Sequence, residues 1–209
     1  MTYGRSGSTL LQKIVQTIPD SHFVGENHNL IEQIWNTARR AWLIKNTWGR
    51  EEQPSSHPWY GADKVRPVRF VEGLIDAFID HILQPPATVR WFGFKEIRYN
   101  AFGDDFPEVL DFMARHFKNA HFIFNSRNAH DVAKSAWWKD WQTEEVVKMV
   151  ETMDMRFRAY CEAHPETTFH VSYDTLVKDH SVVRALFEKF GEPCDEETYE
   201  SIFATQLTH

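Results

Sequence analysis

The chain opens MTYGRSGSTLLQKIV, and within it Gly4-Arg5-Ser6-Gly7-Ser8-Thr9 has the composition of an anion cradle. Two glycines let backbone approach a ligand closely. The first N–H groups of a helix beginning at Ser8 are unpaired and carry the positive end of the helix dipole, which suits phosphate. Ser8 and Thr9 add hydroxyl donors, and Arg5 adds a planar, permanently charged fork. A capped helix start would also place Ser or Thr here, but Arg5 and two glycines exceed what capping needs. Far downstream, the apolar run AHFIFNS leads into Arg127, with Ser135 eight positions further on. If that segment is helical throughout, the two lie a little over two turns apart. An arginine and a hydroxyl so placed could converge on a second phosphate. Taken alone, Arg127 reads better as the solvated arginine of a capped surface helix.

The loop does not meet the kinase pattern G-x-x-x-x-G-K-[ST]. Ser8 stands where the lysine belongs, and Gly4 is too near Gly7. The run FIFNS also ends without the aspartate that holds magnesium in P-loop NTPases. A magnesium-dependent kinase is therefore the weaker reading.

The elements that must position these residues follow from periodicity and breakers. Met1–Tyr3 reads as a short strand entering the loop, and residues 8–18 as a helix stopped by Pro19. Helical spacing of apolar residues covers 30–46, 68–83, 106–117, 128–138, 144–164, 179–190 and 196–204. Strands are expected at 22–25, 89–97, 120–126 and 169–173. Strands separated by helices imply parallel pairing through crossovers. The expected fold is α/β: a central, mainly parallel sheet flanked by helices, a P-loop NTPase-like three-layer sandwich. Ligands of such sheets bind beyond the carboxyl ends of the strands. The Gly-, Pro- and charge-rich segment 49–67 reads as a loop or lid within one domain spanning 1–209.

A chain of 209 residues can bury one sizeable core. Its net charge of −7 and pI near 5.9 argue against nucleic acid or an anionic membrane as a partner. Cys161 and Cys194 have no CxxC spacing, which fits a reducing, cytoplasmic setting. No apolar stretch suits a signal peptide or a membrane span. The 11 histidines are scattered without metal-ligand spacing, so no metal site is expected.

YGRSGSTLL followed by SRNAHDVAKSAW resembles the sulfotransferases that use 3′-phosphoadenylyl sulfate (PAPS). The resemblance implies that Gly4, Arg5, Ser6, Gly7, Ser8 and Thr9 bind the 5′-phosphosulfate. It implies that Arg127 and Ser135 bind the 3′-phosphate, the R-x7-S spacing and the Arg-Asn-Ala-x-Asp-Val-Ala core both matching. GFKEIR places Lys95 where relatives carry a lysine beside the transferring group, and FHVSYDTLVKD suggests Tyr173 near the adenine. The first loop is nearer the carbohydrate and tyrosyl-protein type than the cytosolic Lys-Thr-His type, since Glu96 and Ile97 follow Lys95. The cytosolic enzymes' C-terminal Arg-Lys-Gly segment is absent, and the first strand is shorter than in relatives, as in a trimmed N-terminus.

Sulfuryl transfer needs a base for the acceptor hydroxyl and cations for the leaving phosphate. No metal is required if Arg5 and Lys95 flank the bridging oxygen. For the base, relatives carry a glutamate in a Gly-Glu segment at about the position of Glu26 in HFVGENHN. His28 is the runner-up, because imidazole titrates in the useful range. Trp35, Trp42, Trp48, Trp59 and Tyr60 precede or enter the lid segment, and Trp137, Trp138 and Trp141 follow the second motif. Such aromatics suit a small-molecule, carbohydrate or phenolic acceptor, although helix packing accounts for most of them. Two alternatives stand beside a sulfotransferase: a phosphotransferase using ATP, and a non-catalytic nucleotide-binding module.

Overall fold

A computed structural model describes residues 1–204. Two parallel strand pairs form its centre. The first joins β1 (Ser21–Val24) to β2 (Trp91–Phe94), and the second joins β3 (Phe122–Ser126) to β4 (Thr168–Ser172). Alternation along the strands sends side chains to two separate cores. Phe122 and Phe124 of β3 enter one, with Val24 and Phe94 packed against it. Ile123, Phe23 and Trp91 pack on the other.

The first core is closed by α2 (Leu30–Thr47), α3 (Pro67–Phe78), α4 (Phe106–His116), α5 (Ala129–Ala133) and α6 (Thr143–Ala163). The second is closed by α1 (Ser8–Val15), α8 (Ser181–Phe190) and α9 (Glu196–Ala204), with the short α7 (Tyr173–Leu176) beside them. In α6, the buried residues Val146, Val150, Met153, Phe157 and Tyr160 recur at spacings of three and four, a single apolar stripe. Helices on both faces of parallel strands give the expected α/β, three-layer arrangement. Among the described residues, no helix is long and apolar enough to cross a membrane.

The expected first strand differs. Met1–Tyr3 forms no ladder; Tyr3 makes a single antiparallel bridge to Arg98. The Met1 ammonium donates to Ile123 O at 2.7 Å, and Asn125 N donates to Met1 O at 3.0 Å. These two bonds flank Phe124 in the parallel pattern. Met1–Tyr3 thus stitches together two two-stranded halves. A cavity of about 780 Å³ lies between them, reaching from Arg90 and His121 to Lys95 and Asn125.

The expected helix over 128–138 also differs. α5 stops at Ala133; Ser135 is extended (φ −103°, ψ 132°) and Ala136 is left-handed (φ 47°). A 3₁₀ turn, Ala136–Asp140, follows. Helical propensity yields here to tertiary contacts made by Trp137 and Trp138, described below. Residues 79–83 continue α3 as a π-helical turn. Segment 49–67 contains one 3₁₀ turn (Ala62–Lys64), and Trp48 stacks on Trp59 at 5.2 Å.

The packing centre is Phe157, fully buried, stacked at 4.8 Å on Phe124 and at 6.2 Å on Tyr3. Replacing it with alanine is expected to cost about 3–5 kcal/mol. Urea unfolding should show a lowered midpoint with an unchanged slope; a loss under 1 kcal/mol (about a methylene's worth) would contradict this packing.

Candidate active site

Four of the residues singled out above follow directly on the four strands. Glu26 comes two residues after β1, Lys95 one after β2, Arg127 one after β3 and Tyr173 one after β4. Parallel pairing brings the carboxyl ends together within each pair, and Tyr3, bridging Arg98 past β2 and accepting from Arg127 N past β3, joins them into one rim where the Gly4–Thr9 loop begins.

The loop is held in an unusual backbone. Arg5 (φ 68°) and Gly7 (φ 81°) are both left-handed, costly for the arginine and free for the glycine. Gly7 is the N-cap of α1, and no side chain caps the helix. The first-turn amides are thus left for a ligand, the condition for anion binding at a helix start. Ser6 is buried, its carbonyl and hydroxyl accepting hydrogen bonds from Asn125 Nδ2 at 2.8 and 3.1 Å. Ser8 is buried and Thr9 half-buried at the first turn.

Aromatic rings press on both glycines. A Cβ on Gly4 would lie 2.5 Å from the Trp137 ring, and one on Gly7 would lie 2.1 Å from the Tyr173 ring. Trp138 Nε1 donates to Gly4 O at 3.0 Å. Tyr173 therefore braces the loop and lies under the Arg127 guanidinium at 4.8 Å.

Arg5, Arg127 and Ser135 converge. Arg5 Nε donates to Ser135 Oγ at 3.1 Å, and one terminal nitrogen of Arg127 donates to Arg5 O at 3.1 Å. Arg127 Nε is buried without a partner, an unmet donor of a kind that native interiors seldom keep. Neither arginine pairs with a carboxylate among the described residues. Two guanidinium groups, free helix amides and an orphaned donor can bind a polyanion.

Beside this group, Glu26 accepts from Lys95 Nζ at 2.8 Å and from Arg98 at 3.3 Å. Arg98 also donates to the buried Glu96 at 2.8 Å. His28 is exposed and left-handed (φ 58°); among the described residues its ring bonds neither Glu26 nor Lys95. The Tyr3–Arg98 bridge joins this group to the loop.

Tyr3, Glu96, Arg98, Asn125 and Asp154 have no site role in the sequence reading, and Trp138 stands there only among the acceptor aromatics. Most of their contacts join residues far apart in the chain, which leaves no motif. The KEIR stretch is the exception: a carboxylate between two cations at a strand end is a visible signal.

The strand-end rim and the uncapped loop define a P-loop-like α/β protein. The chain belongs to the sulfotransferase family, whose sequence model matches residues 2–196. A solved structure, the sulfotransferase domain from the curacin biosynthetic pathway, superposes with a TM-score of 0.55 at 14% identity. The match covers 94% of this chain and 74% of that one, a likeness of fold. None of the curated proteins compared with the chain matches it.

Two predictions follow from this geometry. Gly7→Ala should loosen the loop, with at least tenfold faster hydrogen–deuterium exchange at the Ser6–Thr9 amides, because its Cβ collides with Tyr173 and φ is positive. Parental exchange there would contradict the brace. Asp154, half-buried and accepting from the Tyr3 hydroxyl at 2.9 Å, is raised to about 6, chiefly by burial. Between its ordinary value and 6 the folded state holds a proton that the unfolded state has lost. Stability therefore falls as pH rises through that window. Asp154→Asn cannot ionise and should gain on the parent from pH 4 to 7.5, on the order of 1 kcal/mol after screening. Urea midpoints at both pH values would check this, and an equal difference at both would refute it.

Proposed function

We propose that the protein is a PAPS-dependent sulfotransferase that moves a sulfuryl group to a hydroxyl of a small-molecule, carbohydrate or phenolic acceptor. Family membership supports sulfuryl transfer as the chemistry. The observation that carries the finer reading is the shared rim of Glu26, Lys95, Arg127 and Tyr173 around the uncapped Gly4–Thr9 loop. In this reading the loop amides and Arg5 hold the 5′-phosphosulfate. Arg127 and Ser135 hold the 3′-phosphate, which gives the orphaned Arg127 Nε its partner. Tyr173 braces the loop from the adenine side.

The donor supplies a sulfur already bonded to a phosphate leaving group. Glu26 takes the proton of the acceptor hydroxyl as its oxygen bonds to sulfur in line with the breaking sulfur–oxygen bond. The electron pair of that bond departs with the phosphate, whose charge Arg5 and Lys95 meet. The Glu26–Lys95 contact couples the two halves. As Glu26 gains a proton it loses the charge that neutralises Lys95. The ammonium then acts fully on the leaving oxygen, at the moment negative charge builds there.

Calorimetry with adenosine 3′,5′-bisphosphate (PAP) against ADP tests the donor. PAP should bind at least tenfold more tightly, and Arg127→Ala or Ser135→Ala should abolish the preference. Equal affinity of the parent for both would sink the sulfotransferase reading. Glu26→Gln should lower kcat by about 10²–10⁴ with PAP affinity unchanged; full turnover would move the base to another group, His28 being the next to test.

A further inference from the structure

Glu96 is fully buried one residue beyond Lys95. Its carboxylate accepts four hydrogen bonds. Oε2 takes Asn27 N at 3.3 Å and Asn29 N at 2.7 Å, while Oε1 takes Ile97 N at 2.7 Å and Arg98 at 2.8 Å. All four partners are donors, the complement of a carboxylate.

Two of these donors belong to the turn that carries Glu26. That turn is strained: His28 (φ 58°) and Asn29 (φ 57°) are consecutive left-handed residues without glycine, a conformation costly above all for His28. Asn27 Oδ1 accepts from Leu30 N at 3.1 Å, so the turn runs straight into α2. The strand end that supplies Lys95 and Arg98 to Glu26 thus also holds, through Glu96, the backbone on which Glu26 stands. Arg98 is shared, nearer to Glu96 than to Glu26.

We propose that Glu96 is a positioning residue for Glu26. It pins the left-handed turn 26–29 against the end of β2 and holds Arg98 so that Glu26 keeps its place beside Lys95. This rests on Glu26 being the base. Glu96→Gln is the discriminating change. An amide has one acceptor oxygen; kept toward the Ile97 amide and the charged Arg98 guanidinium, the stronger pairing, it turns its NH₂ group to the Asn27 and Asn29 amides. One pair is lost with almost no change of volume.

The experiment combines turnover, PAP affinity and hydrogen–deuterium exchange on Glu96→Gln. Expected are a kcat at least tenfold lower, PAP affinity within twofold of the parent, and at least tenfold faster exchange at Asn27 and Asn29, with the Ser6–Thr9 amides unchanged. Adding Asn29→Gly, which adopts the left-handed conformation freely, should recover part of the lost kcat. Parental kcat with parental exchange at 27 and 29 overturns the proposal. So does faster exchange throughout the chain with a matching loss of PAP binding. If the single variant fails to fold, the double variant should fold; failure of both makes Glu96 a general stability residue and also overturns it. Glu26→Gln run alongside separates the two levels. Full turnover there removes the base reading and with it the proposal's purpose, whereas an inactive Glu26→Gln beside a normal Glu96→Gln removes the positioning role alone.

Discussion

The Tyr3 hydroxyl occupies the junction through which the rest of the site is placed. It accepts the Arg127 backbone N–H at 3.0 Å and donates to Asp154 on α6 at 2.9 Å. Its backbone bridges Arg98, and its ring stacks on Phe157 in the larger core. One fully buried residue therefore fixes where the loop begins, where β3 delivers its arginine and where the strand carrying Lys95 ends. Burial and the Asp154 contact push this hydroxyl far above its ordinary range, so it remains a neutral donor and acceptor. With the sheet in two halves, Tyr3 and the two backbone bonds of Met1 couple one half to the other.

From that anchor the loop is shaped by compression rather than by local preference. A left-handed arginine beside a left-handed glycine is not a conformation the sequence would choose. Trp137, Trp138 and Tyr173 cover it from outside, and Asn125 grips Ser6 from within. The helix-start amides are consequently fixed before any anion arrives. Such pre-ordering matters because donors that need not reorganise stabilise charge most effectively. The break after α5 belongs to the same arrangement. Ending the helix at Ala133 swings Ser135 toward Arg5 and lets the two tryptophans fold over Gly4.

The parts legible in the sequence were those written as local patterns. Glycine spacing marked the loop, alternation with helices gave parallel pairing, and the R-x7-S segment gave the second arginine and hydroxyl. Illegible were contacts made by backbone atoms and buried side chains. Nothing in WFGFKEIR says that Glu96 reaches back to amides at 27 and 29, since that depends on β1 and β2 pairing in register. The helix expected over 128–138 failed for a related reason. Its residues favour a helix, and only the tertiary contacts of Trp137 and Trp138 outweigh that preference. The expected first strand is a stitch rather than a ladder, Met1 bonding β3 and Tyr3 bridging Arg98.

The distribution of charge explains how an acidic chain can hold a polyanion. Net charge governs long-range attraction, whereas a site responds to the few groups within a Debye length. Here those groups divide into two sets. Lys95 and Arg98 face Glu26 and Glu96, two cations against two carboxylates, so that set is close to neutral. Among the described residues no carboxylate pairs with Arg5 or Arg127; their bonds go to a hydroxyl and a carbonyl. The positive potential is thus concentrated at the loop and the end of β3, while the neutral set lies at the ends of β1 and β2. A donor with two phosphate-bearing ends would be oriented by that asymmetry alone. Under the proposed function its anionic groups would settle on Arg5 and Arg127, leaving the reacting bond beside Lys95 and the Glu26 carboxylate that takes the acceptor's proton.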